Sequence, residues 1–384
     1  MGIVPGAAEL RRRAAALPAD RYSILGADVS LRTDSDSVRA FFSASYRWFP
    51  AGEAREDLDL VALFRNQGAT PGASAGDSFL DLSRSRSPEN RAFLFLLESL
   101  TDRISTSIML HGAAVSAGGK GIIIAGPTLA GKSTLVLELM KLGHRFLSDD
   151  AAPLERSSGR LLPFPRAVGM RKGGASTRLP ERGVHELPHK WLVDPVSLGA
   201  RLPVDSCEPD FLFYLDPGEG EAERDQYPRT FELALADSSQ AVEADLVAMG
   251  AESVLASDTG PFIVLTARFR PGARPFSGLV EVWRRHRDTI LYIDESRPPV
   301  RRSDGSPRIV PVEVSRLLLP LVRDVLNRGE AGALMRSHSG KLTSLMVEIA
   351  GLLKTVKCFK VTASSPEKTA AAINEIVHGT RRNE

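Results

Sequence analysis

Residues 126–134 read GPTLAGKST, and Gly126, Gly131, Lys132 and Ser133 complete the pattern G-x-x-x-x-G-K-[ST]. Each residue type has a task at a polyphosphate. Successive backbone N–H groups of such a loop turn inward onto phosphate oxygens. Gly126 and Gly131 permit backbone angles and close approaches that a Cβ would block. Lys132 reaches the β- and γ-phosphates, and the Ser133 hydroxyl is a hard oxygen ligand for Mg²⁺. Pro127, Thr128, Leu129, Ala130 and Thr134 complete the expected nucleotide cradle. The cofactors expected from these residues are ATP and Mg²⁺.

A second acidic element follows. Asp149 and Asp150 stand 17 and 18 positions past Lys132. If the strand ending there is parallel to the one entering the loop, its C-terminal end returns beside the loop, where open α/β sheets bind ligands. One carboxylate there can serve Mg²⁺ and the other can accept a hydroxyl proton during phosphoryl transfer. Adjacent acids on a strand point to opposite faces, so two roles require the chain to turn at this strand end. A surface acidic turn is the plainer reading. His111 precedes the strand pair that leads into the loop, and such a lone His is either a packing residue or part of the site.

Those residues need elements to hold them. GIIIA (121–125) is an apolar strand running into the loop, and STLVLELMKLG begins a helix over about 132–142 with Gly143 just past its end. GAAVSAGGKG supplies a preceding strand and a turn. HRFLSDDAAPLER is expected as a strand entering a hairpin, with SSGR as the turn and LLPFP as the return strand. Upstream, residues 1–20 suggest a short amphipathic helix, 22–49 short strands and a helix from about Asp36, and 58–65 and 78–85 further strands. Pro88 opens a long helix read over 89–112, and 171–195 reads as a long Gly- and Pro-rich loop. Strands are expected at 210–216 and 260–269, a helix at VEADLVAMGAESVLAS, and helical or mixed elements with one strand, TVKCFKVTAS, in the tail. The domains expected are 1–86, a small N-terminal α+β accessory or substrate-recognition domain, and 87–384, which holds the loop.

The chain has 384 residues, 43% hydrophobic and 25% charged, enough for a sizeable core. Its net charge of +2 supplies no global field for nucleic acid or an anionic membrane, so neither is an expected partner. No run is long and apolar enough for a membrane span, the N-terminus has no secretory signal pattern, and a cytoplasmic location is expected. Cys207 and Cys358 are read as free thiols. Between 153 and 190 there are eight Lys or Arg (156, 160, 166, 171, 172, 178, 182, 190) against three Glu, a local basic flap.

HGAAVSAGGKGIIIAGPTLAGKSTLVLELMKLGHRFLSDD (111–150) resembles the HPr kinase/phosphorylase family, and more closely the HPr-kinase-related proteins of peptide-modification clusters. The likeness lies in a His-Gly opening, the glycine loop, then GHR and a terminal Asp-Asp at matching spacing. It implies a fold of α/β class: a P-loop kinase domain of the HPr kinase/phosphoenolpyruvate carboxykinase-like type, with a small N-terminal α+β domain. It implies ATP- and Mg²⁺-dependent phosphorylation of a serine hydroxyl. By position, Asp150 resembles the proton acceptor, Asp149 its partner near the metal, His111 the active-site His, and Lys132 and Ser133 the nucleotide and metal residues. The family's second signature survives as PFPRAVGM (163–170), with Arg166 and Gly169 in place and Phe164 at the position of the metal-binding Glu. The expectation is therefore for the kinase direction, with substrate phosphates and water supplying more of the metal's ligands. Thr128 and Leu129 replace the family's middle glycine, and the first 85 residues do not resemble the regulatory domain of the true HPr kinases. Those assemble as hexamers, so a homo-oligomer is among the expectations.

The reading that follows is a serine kinase with a peptide or protein partner, catalytic Asp150, His111, Lys132 and Arg166, and metal ligands Ser133 and Asp149. A small-molecule kinase for an amino acid or sugar, and a non-catalytic ATP-binding regulator, are the alternatives left open.

Overall fold

The structure, a computed structural model, describes residues 5–50, 58–64, 70–101, 103–127, 130–171, 179–186, 190–202, 205–216, 228–259, 262–273, 275–286, 289–296, 305–326, 342–362 and 364–379. The chain divides into two units, one of Met1–Ser43, Phe49–Arg103 and Glu219–Val300, the other of Ala44–Trp48, Ile104–Gly218 and Arg301–Glu384. The grouping differs from a linear boundary at 86/87, because residues 219–300 go with the N-terminal region. The physical reason is local. Their strands form a sheet of their own, and the Arg86 N–H donates to the Ala236 carbonyl at 2.7 Å while its guanidinium pairs with Asp258.

The first unit holds a five-stranded sheet in the order Asp20–Ile24, Ala27–Thr33, Leu58–Leu63, Gly72–Ala75, Ser78–Asp81. Helices Pro5–Ala14 and Pro88–Thr101 pack against it. It also holds a four-stranded antiparallel sheet, Ser253–Asp258, Ile263–Phe269, Arg229–Leu235, Ile290–Ser296, with helices Gln240–Ala248 and Phe276–Arg285.

The second unit carries the glycine loop. Its elements are β1 (Ser107–Leu110), β2 (Gly112–Ala117), β3 (Lys120–Ala125), α1 (Lys132–Lys141), β4 (Arg145–Ser148), β5 (Ala152–Glu155), β6 (Val168–Arg171), β7 (Val184–Glu186), β8 (Lys190–Val193), β9 (Glu208–Asp216), β10 (Arg308–Pro311), α2 (Ser315–Leu326), α3 (Leu342–Leu352), β11 (Lys357–Thr362) and α4 (Pro366–Val377). Six strands form one mixed sheet in the order β10-β11-β9-β3-β2-β4. β3 is parallel to β9, and β9 to β11, while β2 runs antiparallel to both β3 and β4.

The apolar run of β3 follows from burial on both faces. Ile122 and Ile124 pack with Leu135 and Leu139 of α1 and Ile373 of α4. Ile123 and Ala125 point the other way, into a core with Leu321 of α2 and Ile349 of α3. Cys207 and Cys358 are free and buried in that second core, and burial pushes both thiols up to about 11. Among the described residues no helix is long and apolar enough to cross a membrane.

Several expectations are corrected. The helix expected over 89–112 stops at Thr101, and β1 follows, paired with β5. The expected return strand LLPFP, interrupted by Pro163 and Pro165, makes only isolated bridges: Leu161 with Leu154 and Cys207, Phe164 with Ser148. The expected loop 171–195 instead carries β7 and β8, which with β6 make a three-stranded antiparallel sheet. The helix expected through Ser257 ends at Ala248, and Ser253–Asp258 is a strand.

Candidate nucleotide and phosphoryl-transfer site

The strand order explains how distant residues meet. β4 runs in the same direction as β3 but with β2 between them, so it is not the neighbouring parallel strand that the sequence suggested. The consequence is useful: the start of β2 and the ends of β3 and β4 share one edge of the sheet. Gly112 pairs with Ala125, and Ala114 with Ser148. His111, Gly126 and Asp149 each stand one residue beyond one of these pairs or strand ends.

Gly126 has φ 144°, and a Cβ there would lie 2.7 Å from the Leu215 carbonyl oxygen. Gly131, at φ 95°, is the N-cap of α1, and no side chain caps that helix end. The first-turn N–H groups of α1 are thus left without a side-chain acceptor, and the helix dipole favours an anion there. Thr128 and Leu129 lie outside the described residues. Pro127 and Ala130 belong to the loop, with the Ala130 N–H donating to the Pro127 carbonyl, and Thr134 is in the first turn of α1.

Lys132 is buried. Its ammonium donates to the carbonyls of Gly126 at 2.7 Å and Pro127 at 3.1 Å, and it lies 3.2 Å from His111 Nε2. On its other side His111 Nδ1 lies 3.1 Å from the Asp150 carbonyl. A carbonyl only accepts and an ammonium only donates, so the imidazole here is neutral, with its proton on Nδ1. His111 thereby links the glycine-loop lysine to the backbone of the acidic pair.

The two aspartates part at the strand end. Asp149 is 2% exposed; one carboxylate oxygen accepts from Ser133 Oγ at 2.7 Å and the other from the Gly169 N–H at 3.2 Å. Its carboxyl is pushed up to about 6, first by burial and then by the charge of Asp150, against the hydrogen bonds from Ser133 and Gly169. Asp150 takes φ 68°, a left-handed conformation unusual outside glycine, and its side chain is 24% exposed. Its Oδ2 lies 4.0 Å from Lys190 Nζ on β8.

Arg166 is held differently. Its guanidinium lies 5.4 Å from the Phe164 ring centroid and 5.8 Å from that of Tyr46. Phe164 itself is buried, and its backbone joins the β4 end through the Leu147 carbonyl and a bridge to Ser148. An apolar ring at that position is packing, and it offers no oxygen to a metal.

The structure brings His111, Lys132, Ser133 and the acidic pair together; spacing points to the loop residues and leaves His111 and the acidic pair open until the family resemblance is drawn. Spacing missed Lys190 as an individual, since only the flap's summed charge was visible. The flap is also less uniform than its charge suggested: Arg156 pairs with Glu348, and Arg160 with Glu208 and Ser206. The Arg171 side chain, Lys172 and Arg178 lie outside the described residues.

The residues fit Mg²⁺ with a nucleotide. Among the described residues no cluster of three or more His, Cys, Asp or Glu side chains forms a dedicated metal cage. Mg²⁺ commonly takes one or two protein oxygens plus phosphate and water, and Ser133 and Asp149, 2.7 Å apart, could supply such a pair.

Residues 102–166 match the family model of the HPr Serine kinase C-terminal domain. HPr kinase/phosphorylase from Clostridium botulinum is 38% identical over 79 residues, 21% of this chain and 26% of that protein. The Clostridium beijerinckii protein of the same name is 41% identical over 63 residues, 16% of this chain and 21% of its own. That from Listeria monocytogenes is 36% identical over 78 residues, 20% and 25% of the two chains. The chain spans about a quarter of the length of the curated relatives it matches. Among solved structures, the Hpr(Ser) kinase/phosphatase from Coxiella burnetii aligns at 18% identity over 47% of this chain and 95% of that one, with a TM-score of 0.22. The matched segment contains His111, the glycine loop, both aspartates and Arg166, while Lys190 falls beyond it. In that segment, where the candidate site is concentrated, the chain is HPr-kinase-like.

Proposed function

We propose that this protein is a kinase of the P-loop, HPr kinase/phosphoenolpyruvate carboxykinase-like type, using ATP and Mg²⁺ to phosphorylate a serine hydroxyl on a peptide or protein. The observation that carries the reading is the meeting of Lys132, His111, Ser133, Asp149 and Asp150 at one sheet edge. The serine acceptor is taken from the name of the matched family. The α+β unit containing the N-terminal region is read as the accessory or substrate-recognition part.

ATP supplies the phosphoryl group and Mg²⁺ the charge that screens it. The chain's own groups divide the remaining work. The loop N–H groups and α1 hold phosphate oxygens, and Lys132 exchanges its loop carbonyls for phosphate. Asp149 and Ser133 hold the metal. Asp150, more exposed and turned out of line by its left-handed backbone, takes the proton of the attacking alcohol. His111 keeps Lys132 and the Asp150 backbone in register, and Arg166, braced by two aromatic faces, offers positive charge to the transferring group.

Replacing Asp150 with Asn tests this. Transfer of label from ATP to serine peptides should fall by about 10²–10⁴-fold, the usual weight of a general base. Affinity for Mg·ADP should change less than about twofold. An Asp150→Asn protein that phosphorylates as well as the wild type would end the reading.

A further inference from the structure

Asp150 and Lys190 face each other as opposite charges, each side chain about a quarter exposed. At 4.0 Å the ammonium and carboxylate are too far apart for a direct hydrogen bond. One oxygen atom placed about 2.7–2.9 Å from each would bridge them. That oxygen has to accept from the ammonium and donate to the carboxylate, which an alcohol O–H does in place of a bridging water and a carbonyl, an ether or a fully ionised phosphate does not.

The third wall of this gap is Gly169. A Cβ built there would lie 3.5 Å from Lys190 Nζ and 3.8 Å from Asp150 Oδ2, so it would take up room beside the gap between the two charges. Gly169 is not among the residues with positive φ, so its backbone is open to any L residue, and the missing side chain leaves space. The walls are tied together. The Gly169 N–H binds Asp149, and β6, which carries Gly169, pairs with β8, which carries Lys190.

We propose that Asp150, Lys190 and Gly169 form the seat of the acceptor hydroxyl, with Lys190 a catalytic cation at the nucleophile. The inference rests on the kinase reading and extends it to the acceptor side. In the seat, the hydroxyl gives its proton to Asp150 as its O–H bond breaks. The freed electron pair forms the new O–P bond, and the bond from phosphorus to the β-phosphate oxygen breaks to release ADP. Lys190 stabilises the negative charge that builds on the alcohol oxygen while this happens, and the proton on Asp150 later leaves to solvent. The seat takes a single alcohol oxygen, and the missing side chain at Gly169 leaves room beside it.

The test uses the full chain with γ-labelled ATP, Mg²⁺ and a degenerate serine-containing peptide library, together with calorimetric titration of Mg·ADP. Lys190→Ala should lower the turnover of library phosphorylation about 100-fold, and Lys190→Arg should recover most of it. Gly169→Ala, which keeps the N–H to Asp149, should cost about tenfold or more by displacing the alcohol. All three variants should bind Mg·ADP within about twofold of the wild type, which a merely structural role would not predict. The proposal is overturned if Lys190→Ala phosphorylates like the wild type, or if it loses Mg·ADP affinity in step with transfer. A wild type that binds Mg·ADP but labels neither peptide nor water ends the kinase reading itself, and the seat with it.

Discussion

Asp149 carries a cost that its function would explain. A carboxyl with an ordinary value of 3.8 is pushed up to about 6 by burial and by its charged neighbour. Between those values the folded chain holds a proton that the unfolded chain has released, so this group's contribution to stability falls as pH rises. Above about pH 6 the full penalty is present. Asp149→Asn should therefore be more stable than the wild type at pH 7.5 without metal, by about 1–3 kcal/mol, and the difference should shrink towards pH 4. Mg²⁺ with ADP should raise the melting temperature of the wild type far more than that of the variant. Thermal melts with and without Mg·ADP at several pH values read all of this. A variant no more stable than the wild type at pH 7.5 would mean that the buried carboxylate is already compensated within the protein.

At the scale of elements, the junction after α1 locks the loop helix to α4. Gly143, at φ 94°, and His144 close α1 with N–H groups donating to the Met140 and Leu139 carbonyls, the αL-capped ending in which the second residue past the cap reaches back to the last turn. His144 then lies 2.9 Å from Asn374 Oδ1 on α4 through Nε2. Since that oxygen accepts, Nε2 carries the proton, and the buried Nδ1 has no hydrogen-bond partner among the described residues. Protonating Nδ1 would bury an unpaired charge, and burial indeed holds this imidazole below its usual range. A lowered His value means that its stabilising contribution is present above about 6.5 and is lost as pH falls through the folded value. His144→Gln keeps a donor for Asn374 without a titrating ring, so its stability should fall less than that of the wild type between pH 7 and 5. Parallel pH-dependent denaturant melts that coincide for the two proteins would refute the role. Much of this region was legible in the sequence, since a glycine after an apolar helix announces its own cap. The three-stranded sheet of β6, β7 and β8 was not. Its strands have three or four residues each, too few for a period to show, and they stand among glycines and prolines that read as loop. Ser253–Asp258 was missed for a related reason: a mostly exposed edge strand has no buried face to impose alternation. Lys190 entered the sequence reading only through the flap's summed charge, because its approach to Asp150 comes from β8 pairing, which spacing along the chain does not encode.

For the whole molecule, the division into units makes a prediction about cutting the chain. A linear boundary at 86/87 would make 87–384 a self-sufficient piece. Helix Pro88–Thr101, however, packs on strands Leu58–Leu63 and Gly72–Ala75, which such a cut removes. Phe93, Leu96 and Leu100 are at most 1% exposed in the intact chain, and the Phe93 ring lies tilted against Phe41 with centroids 5.5 Å apart. Uncovering three such side chains forfeits about 5–9 kcal/mol of burial, comparable with the entire stability of a domain. The fragment 87–384 should therefore bind a hydrophobic dye strongly and should lose a first unfolding transition that the intact protein has. The second unit loses Ala44–Trp48 but keeps its own sheet and both cores, so Cys207 and Cys358 should stay protected from a thiol reagent in the fragment until that unit melts. Dye binding and thiol labelling read the two units separately. If the fragment is dye-silent and melts in the same steps as the intact protein, the packing of Pro88–Thr101 on the removed strands has no energetic content. If the thiols become reactive as soon as residues 1–86 are gone, the unit that carries the glycine loop depends on the removed region for its own folding.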